Sequence, residues 1–434
     1  MTSALCAALD RTLRLMRDDL VPAVDNTRLV AALTGTSVAL VASAAELRSH
    51  SAQCAFVTAA ISMARSAHRV TLVAPNVMLA GSQPPLSEKR LIDALVEIGH
   101  DLLPGYAFSI ALPADCIDLA VVFGASPVAV AVAARGSVHV NAQAWSAELR
   151  PPALASPWQG DDWPIGGIVA GTLVASEAFK YSMRGLREFA IDSRLFDQLY
   201  APASDVDLAM APADTPRVVE LGDFDLISGG AISHGLLYAL ARLPNVRGDG
   251  RVMDAERLEL PNINRYALMR LSDLDALKTH QLSRIVAPGI GLLPVPERYV
   301  GHGLHGQRFR PRVLVGVDDI PTRWRAQEEA PQWLGIGATT HWSAMASYHV
   351  HGLGCARCLH PRDEPGPERI PTVPFVSLLA GVHLACYLLA DLAGRLVRSD
   401  QYVYGTPLRP EMLWRSPVAQ RPICATCGGL KIAA

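Results

Sequence analysis

The sequence predicts an α/β protein built from two tandem Rossmann-like, doubly wound domains and a zinc-binding element. Short β-branched runs alternate with alanine-rich helical stretches along the 434 residues, and this alternation is typical of parallel sheets with right-handed crossovers. The order of elements in the first half recurs in the second. Four of the eight cysteines form two Cys-x-x-Cys pairs, a spacing typical of zinc ligands.

The first half, residues 1–200, begins with a strand-helix-strand unit and has a long apolar helix near its end. Its strands are short β-branched runs and its helices have apolar residues at helical spacing. The predicted strands lie at 37–42, 69–73, 118–123 and 138–141, and the predicted helices at 52–66 and 165–183. Residues 201–217 are rich in Pro, Ala and Asp and are predicted to be a linker.

The second half, residues 218–434, repeats this order of elements. Strands are predicted at 224–228, 251–254 and 312–318, and a helix at 232–243. A late apolar helix recurs as well, because residues 170–175 (AGTLVA) are similar to residues 380–385 (AGVHLA). Alanine-rich helices resemble one another by chance, but the matched order of several elements favours an internal duplication.

The composition of the chain excludes several classes of protein. Lys and Arg number 39 against 41 Asp and Glu, so the formal charge is −2 and lacks the basic surplus of a nucleic-acid-binding protein. Half of the residues are hydrophobic and 18% are charged, which excludes a mostly disordered chain. No apolar run reaches the ~18–20 residues that span a bilayer, and the N-terminus lacks a secretory pattern. We therefore expect a cytoplasmic protein that binds neither membrane nor nucleic acid.

A nucleotide-binding turn is predicted where the strand at 224–228 meets the next helix. The turn reads Ser228-Gly229-Gly230, and small residues let backbone amides approach phosphate at the positive end of a helix. A tight strand-to-helix turn without a ligand has the same sequence character. The following strand ends at Asp254, where an acidic side chain accepts ribose hydroxyls in dinucleotide-type folds.

The residues that follow Asp254 resemble the ATP-dependent adenylyltransferases that activate ubiquitin-like proteins. This ThiF family includes ubiquitin-activating enzymes and relatives that act on the sulfur carriers of molybdopterin and thiamin synthesis. Its pattern continues with an Asn, an Arg, a Lys on the next helix and an acidic strand end. Asn262 and Arg265 follow Asp254 by eight and eleven residues, and Lys278 and Asp318 match the later positions. The resemblance covers about half of the chain, residues 224–430.

The resemblance implies an ATP site and its catalytic residues. The residues that would bind ATP are Gly229, Gly230, Asp254, Glu256, Asn262, Arg265 and Lys278. Arg265, Lys278 and Asp318 would be catalytic, since a carboxylate attacks ATP only if the charge on the phosphates is neutralised. Asp318 would also bind Mg²⁺, and Glu256 stands where the family has a second Asp.

Two neighbouring residues have alternative interpretations. Asp319 replaces the usual Asn and is either a second ligand of the metal or a solvated loop acid. Arg323 is either the Arg of the family pattern or part of a salt bridge at the start of a helix.

No equivalent set of residues occurs in the first half. Ala74 stands roughly where an acid would follow the second strand, so we interpret residues 1–200 as an inactive partner domain. The resemblance implies a pseudo-dimer within one chain, and it also allows a homodimer of such chains. In the family a basic residue from the N-terminal helix of the partner reaches ATP, and Arg11 and Arg14 are the candidates for this arginine finger. Surface solubility is their alternative role.

The cysteine pairs predict a structural zinc site. Its ligands would be Cys355, Cys358, Cys424 and Cys427. Four thiolates complete a tetrahedral zinc and leave no position for a substrate, whereas a redox Cys-x-x-Cys motif would not require two pairs.

The cysteine that forms a thioester in many members of the family has no counterpart at the usual place. Residues 360–375 (HPRDEPGPERIPTVPF) contain no cysteine. Cys386 lies in an apolar stretch, where a buried thiol is the ordinary explanation, and Cys116 lies in the first half. The thioester cysteine is therefore unknown, and the adenylate is either passed directly to a nucleophile or captured by an unexpected cysteine.

The resemblance predicts an enzyme that uses ATP, Mg²⁺ and Zn²⁺. It would adenylate the C-terminal carboxylate of a ubiquitin-like or sulfur-carrier protein, with a ubiquitin-conjugating-type enzyme as a further partner. The alternatives are adenylation of a ribosomal peptide in modified-peptide biosynthesis and a non-catalytic scaffold of the same fold. The charged residues at 254, 262, 265, 278 and 318 count against the scaffold.

Overall fold

The computed structural model describes residues 2–111, 115–203, 205–286, 288–329, 331–363 and 370–428. Each half of the chain contains one mixed sheet in which parallel strands dominate. Buried residues of both halves belong to one hydrophobic core. The predicted α/β class is thus confirmed.

The first sheet has six strands in the order β2-β1-β3-β4-β5-β6. They are β1 (Ser37–Val41), β2 (Arg69–Val73), β3 (Ile117–Phe123), β4 (Ala134–Ala142), β5 (Ser146–Arg150) and β6 (Val206–Ala209). The first four are parallel, and β5 and β6 are antiparallel to their neighbours. β6 lies inside the predicted linker at 201–217, so part of that segment completes the first sheet.

The second sheet has eight strands in the order β14-β13-β12-β11-β10-β7-β8-β9. They are β7 (Glu220–Ile227), β8 (Arg247–Met253), β9 (Ile290–Val295), β10 (Arg312–Val315), β11 (Trp333–Thr340), β12 (Ser343–Val350), β13 (Tyr402–Thr406) and β14 (Arg409–Ser416). β9-β8-β7-β10-β11 form a parallel Rossmann-type sheet. The last three strands are an antiparallel extension.

Helices cover the sheets and also contact one another between the two halves. They are α1 (Thr2–Ala8), α2 (Asp10–Arg17), α3 (Asn26–Gly35), α4 (His50–Arg65), α5 (Leu91–Gly99), α6 (Ile165–Arg184), α7 (Ser193–Leu199), α8 (Ala231–Leu240), α9 (Lys278–Ile285), α10 (Ile320–Glu328), α11 (Ala356–Leu359) and α12 (Pro374–Leu392). The rings of Phe179 in α6 and Phe375 in α12 lie 5.4 Å apart. Thr58 Oγ1 in α4 and Tyr238 Oη in α8 are hydrogen-bonded at 2.9 Å.

The order of elements supports the internal duplication. β1-α4-β2 in the first half corresponds to β7-α8-β8 in the second, and β3-β4-β5-α6-β6 corresponds to β10-β11-β12-α12-β13. The expected doubly wound sheets are correct for the parallel strands only. Two residues connect β11 to β12, and so short a connection joins antiparallel strands because a parallel crossover needs a dozen residues or more.

The two similar apolar segments place a glycine at equivalent helix contacts. A Cβ on Gly171 of α6 would lie 2.9 Å from the backbone nitrogen of Ala59 in α4. A Cβ on Gly381 of α12 would lie 2.5 Å from the backbone nitrogen of Leu236 in α8. Each half therefore depends on a glycine to bring its long apolar helix against the first helix of its Rossmann unit.

Among the described residues, α12 is long and apolar enough to cross a bilayer by length and composition. This corrects the expectation that no run reaches that length. The helix continues through Asp391, which interrupts the apolar run in the sequence and accepts a hydrogen bond from Arg312 Nε at 2.8 Å. In the fold, 83% of the apolar window is buried, as in the core helix of a globular domain.

Gly381→Ala is expected to destabilise the chain. The new methyl group forces α8 and α12 apart, and overpacking of this kind costs about 1–3 kcal/mol. The measurement is the free energy of unfolding in urea. Gly35→Ala at the end of α3 is the control, because a Cβ there meets nothing within 4 Å. Equal stability of the two variants would contradict the close contact between α8 and α12.

Candidate active site and zinc centre

The turn between β7 and α8 contains a residue with a positive φ angle. Ser228 adopts φ +90°, a left-handed conformation that favours glycine. Two hydrogen bonds hold it: the Gly230 N–H donates to Ser228 Oγ at 3.0 Å, and Ser233 Oγ donates to the Ser228 carbonyl at 2.5 Å. Ser228 and Ser233 therefore stabilise the turn through their side chains.

Asp254 and Lys278 close this turn from the neighbouring elements. The Gly229 N–H donates to Asp254 Oδ2 at 2.8 Å, directly after β8. A Cβ on Gly229 would lie 2.9 Å from Lys278 Cβ, so only glycine lets α9 approach the turn this closely. The predicted residues Gly229, Gly230, Asp254 and Lys278 thus lie at one end of the parallel sheet, where ligands bind in open α/β folds.

Lys278 is a buried cation with an exposed partner. Its ammonium group is hydrogen-bonded to the carboxylate of Glu256, and the side chains of Lys278 and Glu256 are 7% and 74% exposed. Burial opposes the charge of Lys278, but Tyr266, Asp254 and Glu256 outweigh it and raise its pKa. The hydrogen bond from Lys278 lowers the pKa of Glu256. Both groups are therefore charged at neutral pH.

Arg265 and Lys278 share the ring of Tyr266. The Arg265 guanidinium carbon lies 5.3 Å from the ring centre and Lys278 Nζ lies 5.6 Å from it, so both cations interact with the same aromatic ring. Burial and the nearby Arg11 lower the pKa of Arg265 to about 10. Sequence reasoning missed Tyr266, although its place directly after the Asn-x-x-Arg motif was a usable signal.

Asn262 lies beside these cations in a short 3-10 turn, Leu260–Asn262. It is buried, and its side-chain oxygen accepts a hydrogen bond from the Glu259 N–H at 2.9 Å. Asn262 therefore stabilises the turn that leads into Arg265.

The acids after β10 have separate roles. Asp318 is exposed and close enough to Arg265 and Arg323 to raise the pKa of each against the effect of burial. Asp319 is the N-cap of α10, and its carboxylate accepts from the Thr322 N–H at 2.7 Å. The structure thus gives Asp319 a third role, that of a helix cap, beside the two interpretations drawn from the sequence.

Arg323 binds neighbouring groups rather than an acid at the start of its helix. It is buried and donates to the Val317 carbonyl at 2.8 Å and to His360 Nε2 at 3.2 Å. These bonds join the end of β10 to the segment that follows the first cysteine pair.

The N-terminal helices contact the same site. Asn264 Nδ2 in the second half donates to Thr12 Oγ1 of α2 at 2.9 Å, and both side chains are buried. Arg11 of α2 donates to the Ile370 carbonyl at 3.4 Å and lies close enough to Arg265 to affect its pKa. Arg14 is paired with Asp10 at 3.0 Å on the surface. Of the two arginine-finger candidates, Arg11 is thus the one whose charge acts at the site.

A polar cluster occupies the corresponding end of α4 in the first half. Both ring nitrogens of His50 contact carbonyl oxygens, those of Ala80 and Arg242. Because carbonyls only accept hydrogen bonds, both nitrogens carry a proton and His50 is an imidazolium. Burial opposes this charge, but Cys54 and the two carbonyls raise the pKa of His50 to about 9.

Cys54 lies against His50 in the same cluster. Its sulfur lies 3.5 Å from His50 Nε2 and accepts from Gln83 Nε2 at 3.2 Å. Burial raises the pKa of the thiol, but His50, Arg242 and Gln83 outweigh this effect and lower it. The polar partners of Cys54 thus come from three separate segments of the chain.

The four paired cysteines converge as predicted. Their sulfurs all lie within 4.8 Å of one another, with Cys355–Cys424 and Cys358–Cys427 at 3.4 Å and Cys355–Cys358 at 3.7 Å. A tetrahedral zinc with Zn–S bonds of about 2.3 Å separates its sulfurs by about 3.8 Å. The donor set and spacing fit zinc, which would fasten α11 to the segment after β14.

Of the remaining cysteines, Cys54 and Cys386 are buried, whereas Cys6 is partly exposed in α1, a helix that contacts the turn at Leu260–Asn262. Cys386 is buried in α12, and burial raises its pKa to about 12. Cys116 is exposed but lies at the start of β3 in the first half. Of the cysteine-free stretch 360–375, residues 364–369 lie outside the described residues.

Two crystal structures of MccB from E. coli are similar to the chain, one with MccA-N7isoASN and one with ATP. Each is 14% identical, covers 60% of this chain and 90% of MccB, and has a TM-score of 0.42 or 0.41, respectively. Residues 37–199 match the family described as the BilD N-terminal domain. The uncharacterized protein y4jF of Sinorhizobium fredii is 29% identical over 153 residues, 34% of this chain. The match covers only 29% of the length of y4jF.

We predict that the purified chain contains one zinc ion and that Cys355→Ser loses it. Removing one of four thiolates opens the tetrahedral site and weakens zinc binding. Zinc content is measured by atomic emission, and chelator treatment of the parent should lower its thermal midpoint. Cys386→Ser is the control, since this thiol lies outside the cluster. Zinc loss in both variants, or a parent without zinc affinity, would refute the assignment.

Proposed function

We propose that the chain is an ATP-dependent adenylyltransferase that activates a C-terminal carboxylate. The observation that carries the proposal is the convergence of Lys278, Arg265 and the first turn of α8 on one side of the site, with Asp254 and Asp318 at the strand ends. Cations and a helix N-terminus suit a polyphosphate, and a strand-end acid suits a ribose.

The proposed reaction joins a carboxylate to AMP. A carboxylate oxygen attacks the α-phosphorus of ATP, the bond to the bridging oxygen of the β-phosphate breaks, and pyrophosphate leaves. Lys278 and Arg265 would stabilise the negative charge on the phosphates. Asp318, an exposed carboxylate near Arg265, would hold Mg²⁺, which neutralises further phosphate charge when bound.

Glu256 has a separate role in this proposal. It neutralises the buried Lys278 through a side chain that is itself largely exposed. A phosphate that takes over this hydrogen bond would release Glu256 to solvent at small cost, because little of its hydration has to be restored.

The missing cysteine at the family's usual place favours direct transfer from the adenylate. Residues 360–375 contain no cysteine, and Cys386 is a buried thiol whose pKa is raised to about 12. A protonated, inaccessible thiol is a poor nucleophile. We therefore place adenylation of a ribosomal peptide ahead of the activation of a ubiquitin-like protein through an enzyme thioester, which remains the second candidate.

ATP–pyrophosphate exchange with candidate peptides and ubiquitin-like proteins tests the proposed function. Lys278→Ala and Asp318→Asn are expected to lower the exchange rate by about a hundredfold or more, because each removes charge stabilisation at the phosphates. Asp319→Asn should retain activity, since Asn caps a helix as well as Asp does. No exchange with any substrate, or full exchange in Lys278→Ala and Asp318→Asn, would contradict the mechanism.

The same assay tests the arginine finger. Arg11→Ala is expected to raise the KM for ATP by about tenfold, as a charged contact to phosphate is lost, whereas Arg14→Ala removes only a surface pair with Asp10. Unchanged kinetics in both variants would exclude a role for α2 in ATP binding.

Direct transfer predicts that no thioester forms on the enzyme. After incubation with ATP and a carboxyl substrate that supports exchange, gels run without reducing agent should show no adduct that dithiothreitol removes. Cys386→Ala and Cys116→Ala should then exchange pyrophosphate like the parent. A reducible adduct that disappears in either variant would establish the thioester route instead.

A further inference from the structure

A buried arginine of the first half holds the ATP-binding segment of the second. Arg65 is the last residue of α4, and its side chain is nearly inaccessible. One terminal nitrogen donates to the Ile263 carbonyl, and the other donates to the carbonyls of Ala267, at 3.3 Å, and Met269. Its direct partners are therefore backbone oxygens of one short segment, 263–269.

This segment carries the cations of the proposed site. Arg265 and Tyr266 lie between the carbonyls that Arg65 binds, and Tyr266 in turn contacts Lys278. The three carbonyls would be left buried without a donor if Arg65 were absent. Burial lowers the pKa of Arg65 to about 9, so the guanidinium is still charged at neutral pH and its hydrogen bonds are charge-assisted.

The second half makes the reciprocal contact with the first. Arg242, two residues beyond α8, is also fully buried and donates to Gln83 Oε1 at 3.1 Å and to the Pro84 carbonyl at 2.6 Å. The segment around residues 83–84 follows β2, just as 263–269 follows β8. In each half, an arginine at the end of the first Rossmann helix thus binds the loop that follows the second strand of the other half.

We propose that Arg65 is a positioning residue for the ATP site, through which the first half fixes Arg265 and Tyr266 against the phosphates. This rests on the proposed adenylyltransferase function. Through Arg65, residues 1–200 would support nucleotide binding without contacting ATP. The reciprocal arginine, Arg242, holds a loop that lacks the ATP motif and so serves the fold alone.

Arg65→Lys and Arg242→Lys in the full chain form a matched pair. Lysine keeps the charge but does not reach three carbonyls from one rigid fork. We expect Arg65→Lys to weaken ATP binding and raise the KM for ATP by about tenfold, with a smaller effect on kcat. Both variants should lower the thermal midpoint by similar amounts, because each weakens a buried set of hydrogen bonds. Arg242→Lys should leave ATP affinity within about twofold of the parent.

Hydrogen–deuterium exchange supplies a readout beyond stability, and it needs only the folded lysine variants. Amides of 263–269 should exchange faster in Arg65→Lys, and amides around 80–86 in Arg242→Lys. Parent-like ATP affinity in Arg65→Lys, or equal weakening of ATP binding in both variants, would overturn the positioning role. A parent chain that binds no ATP would instead overturn the proposed function, and this inference with it.

Discussion

The close contact of long apolar helices is the constraint on which the rest of the structure depends. Gly171 and Gly381 let α6 and α12 approach α4 and α8, and α6 and α12 then meet each other through Phe179 and Phe375. The two sheets consequently share one core. Only with the halves fixed in this way do α2 and the end of α4 reach the segment that follows β8.

The electrostatics of the proposed active site follow from cations that are buried and acids that are exposed to solvent. Lys278 and Arg265 are cations packed on Tyr266, and the acids near them, Glu256 and Asp318, are largely exposed. Charges in such a setting are screened less than surface charges and attract a polyanion strongly. The four-cysteine cluster contributes differently, since its cysteines join segments that are about 70 residues apart in the chain.

Features set by residues close together in the sequence could be predicted, and features set by distant residues could not. The strand at 69–73 and the long helix that starts at Ile165 are local patterns and were placed well. Strands β11, β12 and β14 were missed because they lack a regular alternation of buried and exposed residues. The linker prediction overlooked β6, whose pairing with β5 is set by the sheet and not by its own four residues.

The same distinction applies to the candidate site. Gly229, Asp254, Lys278 and the four paired cysteines stand in motifs with readable spacing, and the structure brings each set together. Arg65 donates to carbonyls about 200 residues away in the chain, and Cys54 depends on Gln83 and Arg242 from other segments. No local pattern reports such contacts, because they exist only after the halves have packed.

Two similar halves in one chain also differ from two identical subunits in the way a substitution acts. In a symmetric homodimer every substitution appears twice, so the two arginine contacts could never acquire different roles. Covalent fusion removes that coupling. The segment after β8 can therefore carry Arg265 and Tyr266 while its counterpart in the first half contacts the His50–Cys54 cluster through Gln83.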